Sequence, residues 1–263
     1  MELNAHACGS WRGKLFPNCR EALVTAIRLG FTNIELDVSV TCDNKFVIGH
    51  NTPTLDISKL VETDYIKMGD AWSGTKMRLA DVFDVLKQNP MINVVWDFRP
   101  GVYGDCDEQI RLFGEIIQKE GLCNSGLIEV YSWKDYESVA NVGFKSIIFG
   151  LCGRGWVNGV HCTPQQLKSD MNECMSRKIQ FVSAPEFVVR ANPDFVANVH
   201  DWGGKIYSLG WKGHDGLREA NKYGVDFATV DYAVPGGVLK NFVRVVVERI
   251  WHLFHEIRRR VSR

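Results

Sequence analysis

The stretch TNIELDVSV, residues 32–40, decides the fold prediction because apolar and polar side chains alternate along it. Successive side chains on a β-strand point to opposite faces, so Glu35 and Asp37 share one face while the apolar residues between and beside them share the other. The stretch therefore predicts a strand that packs by its apolar face and presents two carboxylates on the opposite side.

A second stretch, NVVWDFR at residues 93–99, repeats this scheme with Asp97 and Arg99 opposite the apolar side chains. Carboxylates that converge in a protein interior repel one another unless they take up protons, pair with cations or bind a metal. Ligand sets made only of oxygen favour Mg²⁺ or Ca²⁺. The pattern predicts a divalent metal site, and the alternative is that the acids are merely solvated or paired with Arg99.

Strand-like and helix-like segments alternate along the whole chain, a pattern typical of parallel α/β folds. The predicted strands are Glu2–Ala7, Asn33–Val40, Ile92–Phe98, Leu127–Ser132, Ser146–Leu151, Gln180–Ser183, Lys205–Leu209 and Phe227–Asp231. The predicted helices are Cys19–Leu29, Leu79–Lys87, Glu108–Glu120, Trp133–Asn141, Pro164–Arg177, Pro193–Asp201, His214–Tyr223 and a last one near 238–261. Eight such units predict a single (β/α)₈ TIM barrel, an α/β fold that forms one domain over residues 1–263.

The segment after the second predicted strand is longer than a simple connection. Residues 46–50, FVIGH, predict a short strand that returns over the barrel mouth and brings His50 towards the carboxylates. Residues 51–76 have mixed polarity and little periodicity, so we expect an inserted loop or lid over the same mouth. Residues 150–162 contain four glycines and predict another long loop.

Bulk properties exclude some partners. The 263-residue chain has a formal net charge of zero, which argues against nucleic-acid binding, because such domains are normally strongly basic. Its eight cysteines lack a CxxC pair, and no apolar run approaches the ~20 residues that span a bilayer. We expect reduced thiols, a cytoplasmic location, and a small molecule or lipid headgroup as partner.

The end of the chain, residues 238–263, predicts a basic amphipathic helix. Its apolar side chains fall on one helical stripe, and arginines 258, 259, 260 and 263 make its end strongly positive. One interpretation is the eighth helix of the barrel. The other is peripheral contact with an anionic membrane, since basic amphipathic helices bind such surfaces.

Two histidines accompany the carboxylates. Functional residues of a (β/α)₈ barrel lie at the carboxyl ends of its strands, and His6 ends the first predicted strand. His6 and His50 are therefore candidates for a general acid and base pair. Glu129 and Ser132, near the end of the fourth predicted strand, either reach the same site or serve packing.

The order of these motifs resembles the glycerophosphodiester phosphodiesterase family. The motifs are AH at residues 5–6, PN at 17–18, IELDV at 34–38, GH at 49–50 and VWDFR at 95–99. The resemblance implies hydrolysis of glycerophosphodiesters to glycerol 3-phosphate and an alcohol. It also implies His6 and His50 as the catalytic pair, and one divalent metal ion held by Glu35, Asp37 and Asp97.

This chain departs from the family pattern at four positions. Asp97 and Arg99 stand where the family commonly has Glu and Lys, which keeps the charge at both positions. Ala7 replaces an Arg that follows the first histidine in many members, and Asn51 replaces an Asp after the second. The substrate range is therefore open.

Without an arginine after the first histidine, the cation that binds phosphate must come from elsewhere. Arg99 is the first candidate, because its guanidinium can hold a phosphate through two hydrogen bonds. Arg12 and Lys14 are possible helpers from the loop after the first strand, and the alternative is that they are solvated loop charges. Trp211 is a candidate wall of the substrate pocket.

Two other functions remain open. A phospholipase D-like lipid phosphodiesterase of the sphingomyelinase D type resembles this layout in its barrel, histidine pair and metal triad. The third hypothesis is a barrel that has lost catalysis and only binds phosphate esters or a protein partner, since one fold hosts many functions.

Overall fold

The computed structural model describes residues 1–9, 11, 17–52, 55–69, 74–99, 106–122, 126–144, 146–151, 163–192 and 194–231. The strands in this part of the chain are β1 Glu2–Ala5, β2 Asn33–Val40, β3 Phe46–Ile48, β4 Met77–Arg78, β5 Asn93–Arg99, β6 Gly126–Val130, β7 Ile147–Gly150, β8 Phe181–Pro185, β9 Lys205–Leu209 and β10 Phe227–Val230. The helices are α1 Arg20–Arg28, α2 Glu62–Lys67, α3 Leu79–Lys87, α4 Cys106–Lys119, α5 Trp133–Asn141, α6 Pro164–Arg177, α7 Glu186–Ala191, α8 Phe195–Asp201 and α9 Gly213–Lys222.

Eight parallel strands close into a barrel. Their order is β1, β2, β5, β6, β7, β8, β9, β10, and β10 pairs with β1 to complete the ring. The pairing of β1 with β2 joins Asn4 to Asn33 and Ala5 to Ile34. The predicted (β/α)₈ barrel is therefore confirmed.

The apolar faces of β2 and β5 form the core outside the barrel, as their alternation predicts. Ile34, Leu36, Trp96 and Phe98 are fully buried there in one cluster with the surrounding helices. The ring of Phe98 stacks on that of Phe113 in α4 at a centroid distance of 4.9 Å. This packing leaves the other face of both strands to the barrel interior.

A separate apolar cluster fills the inside of the barrel. It consists of Val95, Ile148, Tyr207 and Phe227, all buried. The rings of Tyr207 and Phe227 stack with centroids 4.2 Å apart and planes within 8° of parallel. We call these four residues the inner plug; they make the lower barrel a packed core, as is usual for TIM barrels.

The segment between β2 and β5 contains more structure than a loop. The predicted returning strand is confirmed as β3, which pairs antiparallel with β2, and β4 then pairs with β3. Residues 57–59 form a 3-10 turn before α2. The hydroxyl of Tyr65 in α2 donates a hydrogen bond to the carbonyl oxygen of Ile48 at 2.6 Å, which ties α2 to the hairpin. Whether the segment acts as a lid stays a prediction.

The structure differs from the sequence prediction at two elements. The first strand ends at Ala5, because His6–Cys8 form a 3-10 turn in which Ala7 and Cys8 have positive φ angles of 45° and 68°. The helix predicted at Pro193–Asp201 is confirmed as α8, and α7 is a short additional helix that precedes it and has no counterpart in the prediction.

Other predictions fall on parts of the chain outside the described residues. These are the helix near 238–261 with its proposed membrane contact, and the stretch 152–162 of the second predicted loop. None of the helices in the described part of the chain combines the length and the apolar character that a membrane crossing requires.

Candidate active site

Three buried carboxylates meet at the carboxyl ends of β2 and β5. Asp37 and Asp97 are partners in the register of these strands, and Glu35 precedes Asp37 by two residues on the same face. One carboxylate oxygen from each of Glu35, Asp37 and Asp97 lies within 4.8 Å of the others. The structure therefore brings together the three acids that the sequence predicted as metal ligands.

Neutral donors hold two of these acids. The backbone N–H of Ala7 donates a hydrogen bond to Oε2 of Glu35. The side-chain amide of Asn18 donates to Oδ2 of Asp37 at 2.6 Å, and the backbone N–H of Asp37 donates to Oδ1 of Asn18 at 3.3 Å. Fixed hydrogen bonds of this kind set the orientation of the carboxylates without neutralising their charge.

The electrostatics of the cluster favour a bound cation. Burial and the nearby Asp37 carboxylate raise the pKa of Glu35 well above its ordinary value, and Asp97 adds to this effect. Oxygen ligands of one Mg²⁺ or Ca²⁺ ion, at about 2.0–2.6 Å from it, lie at most about 5 Å apart, which matches the observed spacing. The donor set and its spacing thus fit a single hard divalent cation.

His6 adjoins the acids from the first turn of the chain. Its Nδ1 lies 2.9 Å from Oδ1 of Asp231, and its Nε2 lies 3.9 Å from Oε2 of Glu35. Burial alone would lower the pKa of His6, but the Glu35 carboxylate and the hydrogen bond to Asp231 outweigh it and raise this pKa to about 9. Because a carboxylate only accepts, Nδ1 carries the proton in this pair and Nε2 faces the acid cluster.

Asp231 was not among the predicted site residues. It follows the last strand, β10, and reaches His6 only because β10 closes the barrel against β1. Its position as the last residue of the last predicted barrel strand was the available signal, since functional residues of this fold cluster at the carboxyl ends of the strands.

His50 lies one residue beyond Gly49, whose backbone N–H donates to the carbonyl oxygen of Asp37 at 2.9 Å. The hydroxyl of Ser39 donates to the carbonyl oxygen of Gly49 at 2.7 Å, so this end of the hairpin is fixed beside the acids. The side chain of His50 is half-buried, and its Nδ1 forms a hydrogen bond with the carbonyl oxygen of Asn51.

A cavity of about 40 Å³ opens at the barrel mouth. The described residues that line it are Asn4, His6, Glu35, Asp97, Glu129, Tyr131, Ser183, Tyr207, Leu209 and Thr229. Most of these side chains are polar, and His50 and Trp211 are not among them. The cavity therefore suits a polar occupant next to His6.

The cavity wall contains two further buried polar residues, Glu129 and Asn4. Glu129 is the register partner of Asp97 on β6, which places a fourth buried carboxylate in the cavity wall. Asn4 donates from its amide to Oγ1 of Thr229 at 3.2 Å, while its Oδ1 has no hydrogen-bond partner among the described residues. Ser132, in contrast, accepts a hydrogen bond from the N–H of Asp135 and caps α5.

The remaining predicted site residues are not brought to this cavity by described side chains. Trp211 is buried in the core outside the barrel, where its indole N–H donates to Oγ of Ser208 at 2.8 Å. The guanidinium of Arg190 covers its ring at 5.1 Å. Arg12 and Lys14 lie outside the described residues, as does the side chain of Arg99, which is the last residue of β5.

Sequence comparisons give no relative, whereas structural comparison does. No protein-family model matches this chain, and no curated protein sequence matches it. A solved glycerophosphodiester phosphodiesterase from Parabacteroides distasonis superposes with a TM-score of 0.69 at 17% identity, covering 88% of this chain and 92% of that one. The enzyme of the same description from Thermotoga maritima superposes with a TM-score of 0.66 at 14% identity, covering 92% and 97%.

A third solved structure holds a ligand. It is a phosphodiesterase from Oleispira antarctica in complex with its product sn-glycerol-3-phosphate, with a TM-score of 0.68, 17% identity, and coverage of 88% and 93%. This chain has the fold of the glycerophosphodiester phosphodiesterases. The fold that the sequence resemblance implied is therefore confirmed, and the activity has to be inferred from the site.

Proposed function

We propose that this protein is a phosphoric diester hydrolase that cleaves glycerophosphodiesters to glycerol 3-phosphate and an alcohol, using one bound divalent cation, Mg²⁺ or Ca²⁺. The observation that carries the proposal is the buried triad of carboxylates beside a paired histidine, at the mouth of a barrel with this fold. The product held by the Oleispira antarctica structure supports the choice of substrate class.

Glu35, Asp37 and Asp97 would hold the cation. When bound, it supplies positive charge opposite the non-bridging oxygens of a phosphodiester and compensates the mutual repulsion of the three acids. The hydrogen bond from the Ala7 backbone keeps Glu35 in place before the cation arrives.

His6 and His50 would act as the general acid and the general base of the reaction. Asp231 binds Nδ1–H of His6, so the ring is held in one tautomer with Nε2 available for transfer, and the same carboxylate stabilises the imidazolium. In His50 the carbonyl oxygen of Asn51 accepts a hydrogen bond from Nδ1, so Nε2 is the atom that we propose for proton transfer. One histidine removes a proton from the attacking hydroxyl and the other protonates the departing alkoxide. Where the attacking hydroxyl belongs to the substrate, the alcohol leaves behind a cyclic phosphate, which water then opens to glycerol 3-phosphate.

Phosphate binding is assigned to Arg99, with Arg12 and Lys14 as helpers, from their charge and their positions in the sequence. Arg99 ends β5 two residues beyond Asp97, so its backbone stands at the rim that carries the acids. A guanidinium at this rim suits the charge and shape of a phosphodiester. Trp211 is left out of the proposed site because its ring packs outside the barrel.

Two further parts of the proposal concern the cell. The cytoplasmic location and the peripheral membrane contact through residues 238–263 are inferred from composition and charge pattern. Deleting residues 238–263 should reduce co-sedimentation with anionic liposomes if this contact exists, and unchanged co-sedimentation would remove it from the proposal.

The test is a hydrolysis assay on purified protein with glycerophosphocholine, glycerophosphoethanolamine, lysophosphatidylcholine and sphingomyelin, each with Mg²⁺, Ca²⁺ or EDTA. Products are identified by mass spectrometry. We expect glycerol 3-phosphate from the first two substrates, with either cation and not with EDTA.

Asp37→Asn should abolish this release, and Asp215→Asn serves as the matched control, because the Asp215 side chain is 93% exposed. Cleavage confined to the two lipids would favour the phospholipase D-like alternative. Binding of glycerol 3-phosphate without turnover of any substrate would favour a barrel that only binds phosphate esters.

A further inference from the structure

Asn18 is a buried polar residue that no part of the proposed mechanism uses. It lies between the turn after β1 and the start of α1, with 2% of its surface exposed. Its φ angle of +42° is in the left-handed region, which asparagine tolerates better than most residues. A buried polar side chain needs hydrogen-bond partners, and those of Asn18 lie in the acid cluster.

The side chain of Asn18 forms two hydrogen bonds with one residue. Its amide donates to Oδ2 of Asp37 at 2.6 Å, and its Oδ1 accepts from the backbone N–H of Asp37 at 3.3 Å. Two bonds to different parts of one residue fix the rotation of the Asp37 carboxylate relative to β2. A single bond would leave the carboxylate free to turn about that contact.

The backbone of Asn18 reaches the second acid. Its N–H donates to the carbonyl oxygen of Ala7 at 3.3 Å, and the N–H of Ala7 binds Oε2 of Glu35. One short path, Glu35 to Ala7 to Asn18 to Asp37, therefore connects two of the three acids through groups without net charge.

We propose that Asn18 is a positioning residue for the cation site: its amide orients the Asp37 carboxylate so that the three acids can bind one divalent ion. The inference rests on the proposed function for the presence of a cation. A neutral donor suits this place, because a lysine or arginine in contact with Asp37 would supply the positive charge itself and compete with the metal.

The test separates the side chain from the backbone with two variants, Asn18→Gly and Asn18→Ala. Both remove the amide, but glycine accepts the left-handed φ angle and alanine does not. The affinities of wild-type and variant full-length proteins for Mg²⁺ and Ca²⁺ are measured by calorimetry after removal of metal with EDTA. Thermal unfolding is measured on the same metal-free samples.

Both variants should bind the cation about 10–100-fold more weakly than wild type, as is typical when a partner of a metal ligand is removed. Their affinities should be equal, although Asn18→Ala unfolds about 2–4 °C below Asn18→Gly because of backbone strain. Excess cation should restore turnover in both variants.

Asn44 supplies a matched control, since it is an exposed asparagine with a φ angle of +56° in the turn before β3. Asn44→Gly and Asn44→Ala should repeat the stability difference and leave the cation affinity unchanged. A wild-type affinity in Asn18→Gly would overturn the inference, as would an affinity that falls in step with stability.

These outcomes are distinct from failure of the proposed function. If the wild-type protein binds the cation but hydrolyses no tested substrate, the proposed activity is wrong while the effect of Asn18 on affinity still decides the inference. If calorimetry detects no cation binding to the wild-type protein, the role of Asn18 is overturned together with the metal dependence.

Discussion

The two layers of the barrel interior have opposite chemistry, and β5 contributes to both. On β5, Val95 belongs to the inner plug, while Asp97, two residues later on the same face, belongs to the acid cluster at the mouth. The plug buries apolar and aromatic surface, which stabilises the fold. The mouth buries three carboxylates, and burial together with Asp37 and Asp97 raises the pKa of Glu35, which costs stability.

The lower layer thus stabilises the fold, whereas the mouth is prepared for a ligand. A buried cluster of like charges has no value for packing, and the lower layer provides the apolar contacts of the interior. We therefore expect substitutions in the mouth to change function and even to raise stability. Substitutions in the plug should lower stability and leave function unchanged.

The largest effect is expected for Glu35→Gln. Loss of a ligand should remove the charge stabilisation that a cation gives the transition state, which is worth several kcal/mol, or about 10³-fold or more in turnover. The metal-free variant should unfold at a higher temperature than wild type at pH 7, because one charge of the repelling cluster is gone. Turnover and thermal unfolding in EDTA measure the two effects. If the metal-free variant is less stable than wild type, the buried carboxylates of the mouth do not lower the stability of the fold, which would contradict this prediction.

The next largest effect is expected for substitutions of the two histidines. His6→Ala and His50→Ala should each lower kcat by about 10²–10⁴-fold, the usual contribution of general acid or base help, with cation affinity largely retained in His50→Ala. Steady-state kinetics at saturating cation measure this. Turnover close to wild type in His50→Ala would remove the two-histidine scheme and leave His6 with Asp231 as the only proton-transfer group described at the mouth.

The sequence was sufficient for the acids of the mouth and insufficient for what surrounds them. Glu35, Asp37 and Asp97 follow from strand alternation, a local signal that the register of β2 and β5 then turns into proximity. Asp231 reaches His6 across 225 positions of the chain, so only closure of the barrel reveals it. The same holds for the contact of Asn18 with Asp37, two residues that α1 separates along the chain.

The turn after β1 shows a second kind of limit. Residues 2–7 have the composition of a strand, yet Ala7 and Cys8 adopt left-handed φ angles that neither residue favours by itself. The bond from the Ala7 N–H to Glu35 requires this turn and helps to hold it. Local propensity is overridden here by a contact with the site, which is where such conflicts are expected.

Ile148→Ala tests the plug. Ile148 is fully buried, and its truncation should lower the free energy of unfolding by about 2–5 kcal/mol through lost burial and a residual cavity. The affinity for Mg²⁺ or Ca²⁺ should stay as in wild type, since Ile148 is not a member of the acid cluster. Denaturant unfolding and calorimetry measure the two properties. A variant that loses cation affinity while it remains folded would show that the two layers are coupled.

The smallest effect expected is a pH dependence of stability that belongs to the mouth. The pKa of His6 is raised from 6.5 to about 9, because Glu35 and Asp231 outweigh the effect of burial. The folded protein thus holds this proton more tightly than the unfolded chain does, so the contribution is complete below pH 6.5 and is lost as the pH rises towards 9. Metal-free wild type should therefore lose stability across this interval.

Asp231→Asn provides the control for this last effect, since it removes one of the groups that raise the pKa of His6 and leaves Glu35 in place. The loss of stability between pH 6.5 and 9 should become smaller in this variant and smaller again in His6→Gln, where the titrating group is absent. A saturating concentration of the cation should also reduce the loss of stability between pH 6.5 and 9, because positive charge beside Glu35 opposes protonation of His6. Equal slopes in wild type and His6→Gln would assign the pH dependence to a group other than His6 and so overturn this prediction.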